Sequence, residues 1–396
     1  MALSKGIFIV GAKRTPFGVL GGKLKNFTAT DLGVIAAQAA IKAAGIDPRH
    51  VDTVIFGNVI QSSKDAAYLA RHVALRSGLP QHVPCLTVNR LCGSGFQSVV
   101  NAAHELLLGE AHIALAGGTE CMSQAPFVVR DVRFGTKFGQ VYEFEDTLFQ
   151  GLTDSYPQLS MALTAENLGA KYNISRSDCD NFALRSQTRF HLAQNQGAFH
   201  QEIVPVKVRG KKGEEMFAID EHPRETSLEQ LAKLKPLFKK DGLVTAGTAS
   251  GINDGAGSIV LATEPAIKEH RLTPLTRLVD WFVCGCDPSI MGIGPVHAIR
   301  GLLKKTKMEL DKIDLIEVNE AFSAQYLAVE KELNLDPNKT NINGGAIAVG
   351  HPLAASGSRI IAHLVFEMKR KNAKYAIGSA CIGGGQGIAL LVENIE

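Results

Sequence analysis

Four short segments of the chain end an apolar run in a reactive or polar side chain, three of them beside glycine. The first is Asn89-Arg90-Leu91-Cys92-Gly93-Ser94-Gly95-Phe96, between a strand pattern and a helix pattern. Near a helix N-terminus, unpaired N–H groups and the helix dipole favour thiolate over thiol, which makes Cys92 a candidate nucleophile. The glycines after it let backbone N–H groups approach a substrate oxygen. Taken alone, the segment also fits a small cysteine buried in a tight turn.

The second segment, Glu317-Val318-Asn319-Glu320-Ala321-Phe322, puts an amide at a strand end, where it can hold a water or a carbonyl or simply cap a helix. In Asn343 to Pro352 a glycine-rich loop carries His351, a candidate base or oxyanion donor, with Pro352 fixing the backbone behind it. The fourth, Ala380-Cys381-Ile382-Gly383-Gly384-Gly385, offers a second cysteine, or a hairpin turn between two buried strands. Together these residues fit nucleophile, base, orienter and proton donor better than four unrelated turns.

Positioning them requires strand ends to converge, and the chain alternates strand and helix patterns at both ends. In the first 120 residues, strands are expected at 6–12, 51–56, 85–88 and 113–116, with helices at 31–44, 66–77 and 96–108. The last 120 residues repeat the plan, with strands at 278–283, 315–318, 340–342 and 375–378 and helices at 296–305, 321–333 and 356–371. This alternation predicts a largely parallel sheet with helices on its faces, and ligands bind at strand carboxyl ends in such sheets. Asp52 to Asn58 resembles Asp314 to Asn319, and Ile113 to Gly117 resembles Tyr375 to Ser379, both at an offset of 262 (52 to 314, 113 to 375). A shared offset points to duplication. Between the halves, residues 121–245 carry more charge, including Arg209 to Gly213 and Lys239-Lys240, and read as an insertion. The expected domains are 1–120 with 246–270, an inserted loop domain at 121–245, and 271–396.

Composition narrows the class. The chain has 396 residues, 45% hydrophobic and 20% charged, which excludes disordered, collagenous and coiled-coil proteins. No apolar run reaches the roughly 18 residues of a membrane span. The net charge of +3 gives no nucleic-acid footprint. Seven cysteines without regular spacing imply reduced thiols, and Cys284-Gly285-Cys286 is too close-set for a zinc knuckle, so no metal site is expected. Lys5, Lys13, Arg14, Lys23 and Lys25 all precede the first acidic residue, Asp31, a composition that resembles organelle targeting.

Over its whole length the chain resembles the thiolase family, most of all its mitochondrial 3-ketoacyl-CoA branch. The resemblance rests on Ala12 to Gly18, Asn89 to Gly95, Gly117 to Pro126, Asn319 to Phe322, Gly350 to Pro352 and Cys381 to Gly385, in that order. Two departures stand out: Ala354-Ala355 follows His-Pro-Leu where glycines are common, and Cys121 replaces the usual serine.

The resemblance implies α/β architecture with duplicated βαβαβαββ halves in α/β/α/β/α layers. It implies that Cys92 attacks the keto carbon, His351 deprotonates it, and Cys381 protonates the leaving carbon. Asn319, through a water, and the backbone N–H groups of Cys92 and Cys381 would complete the oxyanion sites. CoA enters as co-substrate, with no permanently bound cofactor; Arg224 and Thr226 would meet its nucleotide end and Ser250 its pantetheine arm. The expected partners are 3-ketoacyl-CoA, CoA and acetyl-CoA, in a homodimer or homotetramer. The expected place is the mitochondrial matrix, with the signal retained because a strand already starts near Ile7. Rival readings are an acetoacetyl-CoA thiolase with the same catalytic residues, a ketoacyl synthase, and a non-catalytic CoA- or RNA-binding scaffold. The second cysteine argues against the synthase.

Overall fold

The computed structural model describes residues 6–210 and 213–395. Lys5, Lys211, Lys212 and Glu396 of the segments named above lie outside the described residues.

Nine strands carry the frame: β1 (Ile7–Arg14), β2 (Thr53–Gly57), β3 (Cys85–Val88), β4 (Ile113–Cys121), β5 (Asn253–Thr263), β6 (Thr276–Gly285), β7 (Leu315–Val318), β8 (Tyr375–Ile382) and β9 (Gln386–Asn394). They run in the order β7-β8-β9-β6-β1-β5-β4-β2-β3, with Gly18–Val19 pairing on β5 as a short tenth strand. The pairs β2/β3, β2/β4 and β7/β8 are parallel. The others are antiparallel. The sheet is therefore mixed, not largely parallel. Each half closes with a strand (β5 or β9) that inserts antiparallel between its first strand and the parallel set, which periodicity cannot reveal. Residues 340–342 form no strand; Thr340 makes a single parallel bridge to Ile316.

The halves meet edge to edge over only three residue pairs, Ile7 to Ile9 against Leu278 to Thr276. Between them lie helices α1 (Ser94–Leu108) and α2 (Ala355–Lys371), whose apolar side chains share one core with both halves, from Ile7 and Ile259 to Ile388 and Leu390. A second core packs the outer face of the first half against helix Ala29–Ala44, and a third packs the second half against helices Gly294–Thr306 and Ser323–Leu333. The result is five layers, with α1 and α2 in the middle. α2 is buried almost all round, and its polar stripe of Arg359, His363 and Glu367 is buried with it.

β4 runs five residues beyond its apolar stretch because Gly117 and Gly118 let neighbours close in. A Cβ on Gly118 would fall 1.8 Å from the Ala354 carbonyl oxygen. The helix over 29–44 starts where expected for a capping box, with Thr28 and Asp31 each accepting from the other's backbone N–H, and stops at Gly45 at φ +69°.

Arg14 does not act as a surface charge. Wholly buried, its guanidinium donates to Asp220 at 2.7 and 2.9 Å and to Glu202 at 2.7 Å. Glu202 also accepts from His363 at 2.7 Å. This charge belongs to the fold, because a buried guanidinium needs carboxylates around it.

Candidate active site

Leu91, Cys92 and Gly93 form a single tight turn before α1. Leu91 adopts φ +46°, uncommon for a residue with a Cβ. The turn is held by Asn89 Oδ1, which accepts from the Leu91 N–H at 2.9 Å, and by Ser94 Oγ, which donates to the Leu91 carbonyl at 2.7 Å. Cys92 thus projects from a strained corner into a cluster with Ile60, Met122 and Leu353. It is only 8% exposed, and burial pushes its thiol up to about 11, with the Glu120 carboxylate adding to the rise. The sequence-based expectation of a thiolate is reversed. N–H groups do reach the sulfur, but desolvation outweighs them.

The backbone N–H facing the Cys92 sulfur, besides its own, is that of Gly383. The Cys381 N–H lies against its own thiol. Gly383 sits in the turn between β8 and β9, where Gly384 and Gly385 take φ of +80° and +82°. The glycine segment is thus both a hairpin turn and part of the site.

His351 is buried, and burial with the nearby Arg359 charge lowers its pKa to about 3, so the ring is neutral. Its Nδ1 lies 2.5 Å from Ser356 Oγ, which donates its own proton to the Pro352 carbonyl at 3.2 Å. Nδ1 therefore carries the hydrogen, and Nε2 keeps its lone pair. Asn319 Nδ2 approaches Nε2 at 3.5 Å, while Asn319 Oδ1 is buried with no partner among the described residues. An orphaned acceptor of this kind marks a place for a polar guest.

The His351 loop is fixed from the first half. Its backbone N–H meets the Gly251 carbonyl at 3.1 Å and Asn253 Oδ1 at 3.3 Å. Ala354, one of the family departures, has φ −72° and ψ −24°, so its Cβ introduces no backbone strain.

Cys381 ends β8 fully buried, packed with Met291 and Ala321. Burial, then the neighbouring Cys92 and Cys286, hold its thiol well above the usual range.

Cys92 and His351 open on one cavity of about 320 Å³, with walls that include Met122, Leu152, Met161, Met291 and Phe322. Ser250 and Arg224 line it too. Thr226 does not; it lines a smaller neighbouring cavity shared with Arg224 and His222. Arg224 is exposed, and its backbone N–H donates to Gln187 Oε1 at 2.9 Å.

Sequence reasoning missed His222, Ser356, Asn253, Gly383 and Glu120. His222 donates from Nδ1 to the Ala348 carbonyl at 2.8 Å, and its Nε2 lies over Gly251, where a Cβ would come within 2.2 Å. Polar Asn253 and Glu120, near the ends of strands with apolar centres, were the one available signal.

Known proteins match this arrangement along the whole chain. Residues 7–265 match the family description "Thiolase, N-terminal domain" and residues 272–394 "Thiolase, C-terminal domain". The mitochondrial 3-ketoacyl-CoA thiolase of Bos taurus is 60% identical over 395 residues, covering all of both chains. The crystal structure of human mitochondrial 3-ketoacyl-CoA thiolase in complex with CoA superposes with a TM-score of 0.98 at 59% identity, again covering all of both chains. An acetyl-CoA acetyltransferase of Bacillus anthracis gives 0.96 at 45% identity and 99% of each chain.

Proposed function

The chain belongs to the thiolase family of acyltransferases, and from that premise we propose that it cleaves 3-ketoacyl-CoA with CoA through an acyl-Cys92 intermediate. The reaction closes a round of fatty-acid β-oxidation in mitochondria, yielding acetyl-CoA and a shortened acyl-CoA. One observation carries the reading: the neutral His351, its Nδ1–H committed to Ser356 and its Nε2 left unprotonated beside Asn319 Nδ2, lines the same cavity as the Cys92 thiol.

Mechanism follows from these groups. His351 Nε2 takes the thiol proton as Cys92 sulfur bonds to the keto carbon. The resulting oxyanion sits between the N–H groups of Cys92 and Gly383. As the C–C bond breaks, its electron pair becomes the enolate of acetyl-CoA, whose oxygen is held near His351 and a water on Asn319 Oδ1. Cys381 gives the enolate carbon a proton. Its thiolate then takes the proton of incoming CoA, whose sulfur attacks the acyl group and releases Cys92, reprotonated from His351. With both thiols and the imidazole neutral at rest, charge appears only during reaction, where fixed dipoles act most strongly.

CoA would lie along Ser250 with its nucleotide end toward Arg224 and, farther out, Thr226. The segment 121–245 serves as the loop domain holding it, between halves formed by 1–120 with 246–270 and by 271–396. A dimer or tetramer fits the edge position of β3 with its exposed Leu86 and the exposed Phe134 and Phe138.

The test is kcat/KM for thiolysis across acyl chains of four to sixteen carbons. Each methylene in an apolar pocket contributes roughly 1–3 kcal/mol, so a clear rise beyond four carbons is expected. Activity confined to acetoacetyl-CoA would place the protein with the acetoacetyl-CoA thiolases and leave the catalytic roles intact.

A further inference from the structure

Glu120 is wholly buried at the end of β4, and its two oxygens accept four hydrogen bonds. Oε1 takes the Asn58 Nδ2–H at 3.1 Å and the Ile60 N–H at 2.9 Å. Oε2 takes the Val59 N–H at 3.2 Å and the Ala354 N–H at 3.1 Å. Three donors come from the loop after β2 in the first half. The fourth comes from the second half, three residues beyond His351.

Both loops border the nucleophile, since Ile60 and Leu353 share one small apolar cluster with Cys92. Two residues earlier on the same face of β4, Gly118 receives the Ala354 carbonyl. One strand therefore grips Ala354 at both its N–H and its C=O. A buried carboxylate satisfied by four donors gives each of them a defined place, because moving one leaves charge unpaired.

We propose that Glu120 is a positioning residue: it sets the separation of Cys92 and His351 by fastening the 58–60 loop and the start of α2 to one carboxylate. The inference rests on the reading of Cys92 and His351 as nucleophile and base. Glu120 touches neither substrate nor the reacting atoms.

Two variants test it. Ala354→Pro removes the cross-half donor at a φ of −72° that suits proline, and because it also disfavours the turn conformation of Leu353 before it, its effect is read beside that of Glu120→Gln. Glu120→Gln keeps the shape but turns an amide N–H toward two donors. Each is measured for kcat and KM in thiolysis and for the rate at which iodoacetamide alkylates Cys92, with thermal unfolding as the check of fold. A misplaced catalytic pair should lower kcat by about 10- to 100-fold while KM for CoA stays within about twofold. Alkylation of Cys92 should slow in parallel.

A folded Ala354→Pro protein with kcat within about twofold of the parent overturns the proposal, as do kcat and KM losses of equal size. If one variant does not fold, the other decides. If neither folds, the assignment is overturned, because the contact then carries the fold and not the pair. Parent protein without thiolysis would sink the reaction assigned above, whereas slowed alkylation in the variants would still support the positioning.

Discussion

The two halves of the molecule are built alike and used differently. Their strand orders, β1-β5-β4-β2-β3 and β6-β9-β8-β7, run outward from the shared seam in the same sequence, and Thr340 stands in for the last strand of the second set. In the first half, Asp52 Oδ2 accepts from the N–H groups of His112 and Ile113 at 2.7 and 2.9 Å. In the second, Asp314 Oδ2 accepts from those of Lys374 and Tyr375 at 2.8 and 3.0 Å. Helices α1 and α2 cross at Gly95 and Gly357, where a Cβ on Gly357 would fall 2.3 Å from the Phe96 nitrogen.

At the offset of 262 the chemistry no longer matches. Cys92 answers to Ala354, Asn319 to Gly57, and Cys381 to Thr119, whose hydroxyl is committed to the Ala29 carbonyl at 2.6 Å. Duplication supplied two helix starts that meet in one place. In the proposed mechanism the first half supplies the nucleophile, and the second supplies the base, the amide and the second thiol. Frame positions kept their residue types because packing tolerates little change, while site positions diverged because one composite site needs each group once.

The sharpest way to break this division is to remove its nucleophile. Cys92→Ser should lose acyl-enzyme formation and cleavage together, by about 10³-fold or more, read by intact mass after exposure to acyl-CoA and by turnover. Cys381→Ser should still become acylated while cleavage falls by about 10²- to 10⁴-fold. A folded Cys381→Ser protein with no acyl-enzyme would contradict the split. Asn319→Ala removes a second-half group without touching either thiol, and a loss of about 10²- to 10³-fold in kcat is expected. An unchanged kcat would remove Asn319 from the site.

Smaller effects test the frame. Gly118 in the first half corresponds to Ala380 in the second, yet only Gly118 is pressed against the Ala354 carbonyl. Gly118→Ala should cost at least about 1–3 kcal/mol in thermal unfolding, while Ala380→Gly should cost about 1 kcal/mol. Equal losses would mean the halves are gripped alike. The smallest change is expected for Asp52→Asn and Asp314→Asn. Each weakens the same pair of bonds to backbone N–H groups, so both should lower stability by about 1 kcal/mol or less, and to a similar degree. Clearly unequal values would show that the matched geometry hides unequal roles.

Much of this was legible in the residues. Strand and helix periods placed the 85–88 and 315–318 strands to the residue and most helices to within two, because apolar spacing is a local property. The short segments at strand ends singled out Cys92, His351, Asn319 and Cys381, of which the structure brings Cys92 and His351 onto one cavity and Asn319 beside His351. What failed was everything set by distant neighbours. The antiparallel insertion of β5 and β9 depends on which edges pair across more than a hundred residues. Arg14 reads as one of the basic residues of a targeting-like N-terminal stretch, and only the fold closes Asp220 and Glu202 on it. Cys92 sits where a helix start favours thiolate, yet desolvation by Ile60, Met122 and Leu353 raises its pKa instead. Gly383, Asn253, Ser356 and Glu120 act through backbone N–H groups or through contacts that no motif records. The sequence alone determined which groups exist and on which turns they stand. Only the tertiary structure decided which reach one another, because charge state and hydrogen-bond partnership depend on how much water is excluded, and packing between remote segments controls that.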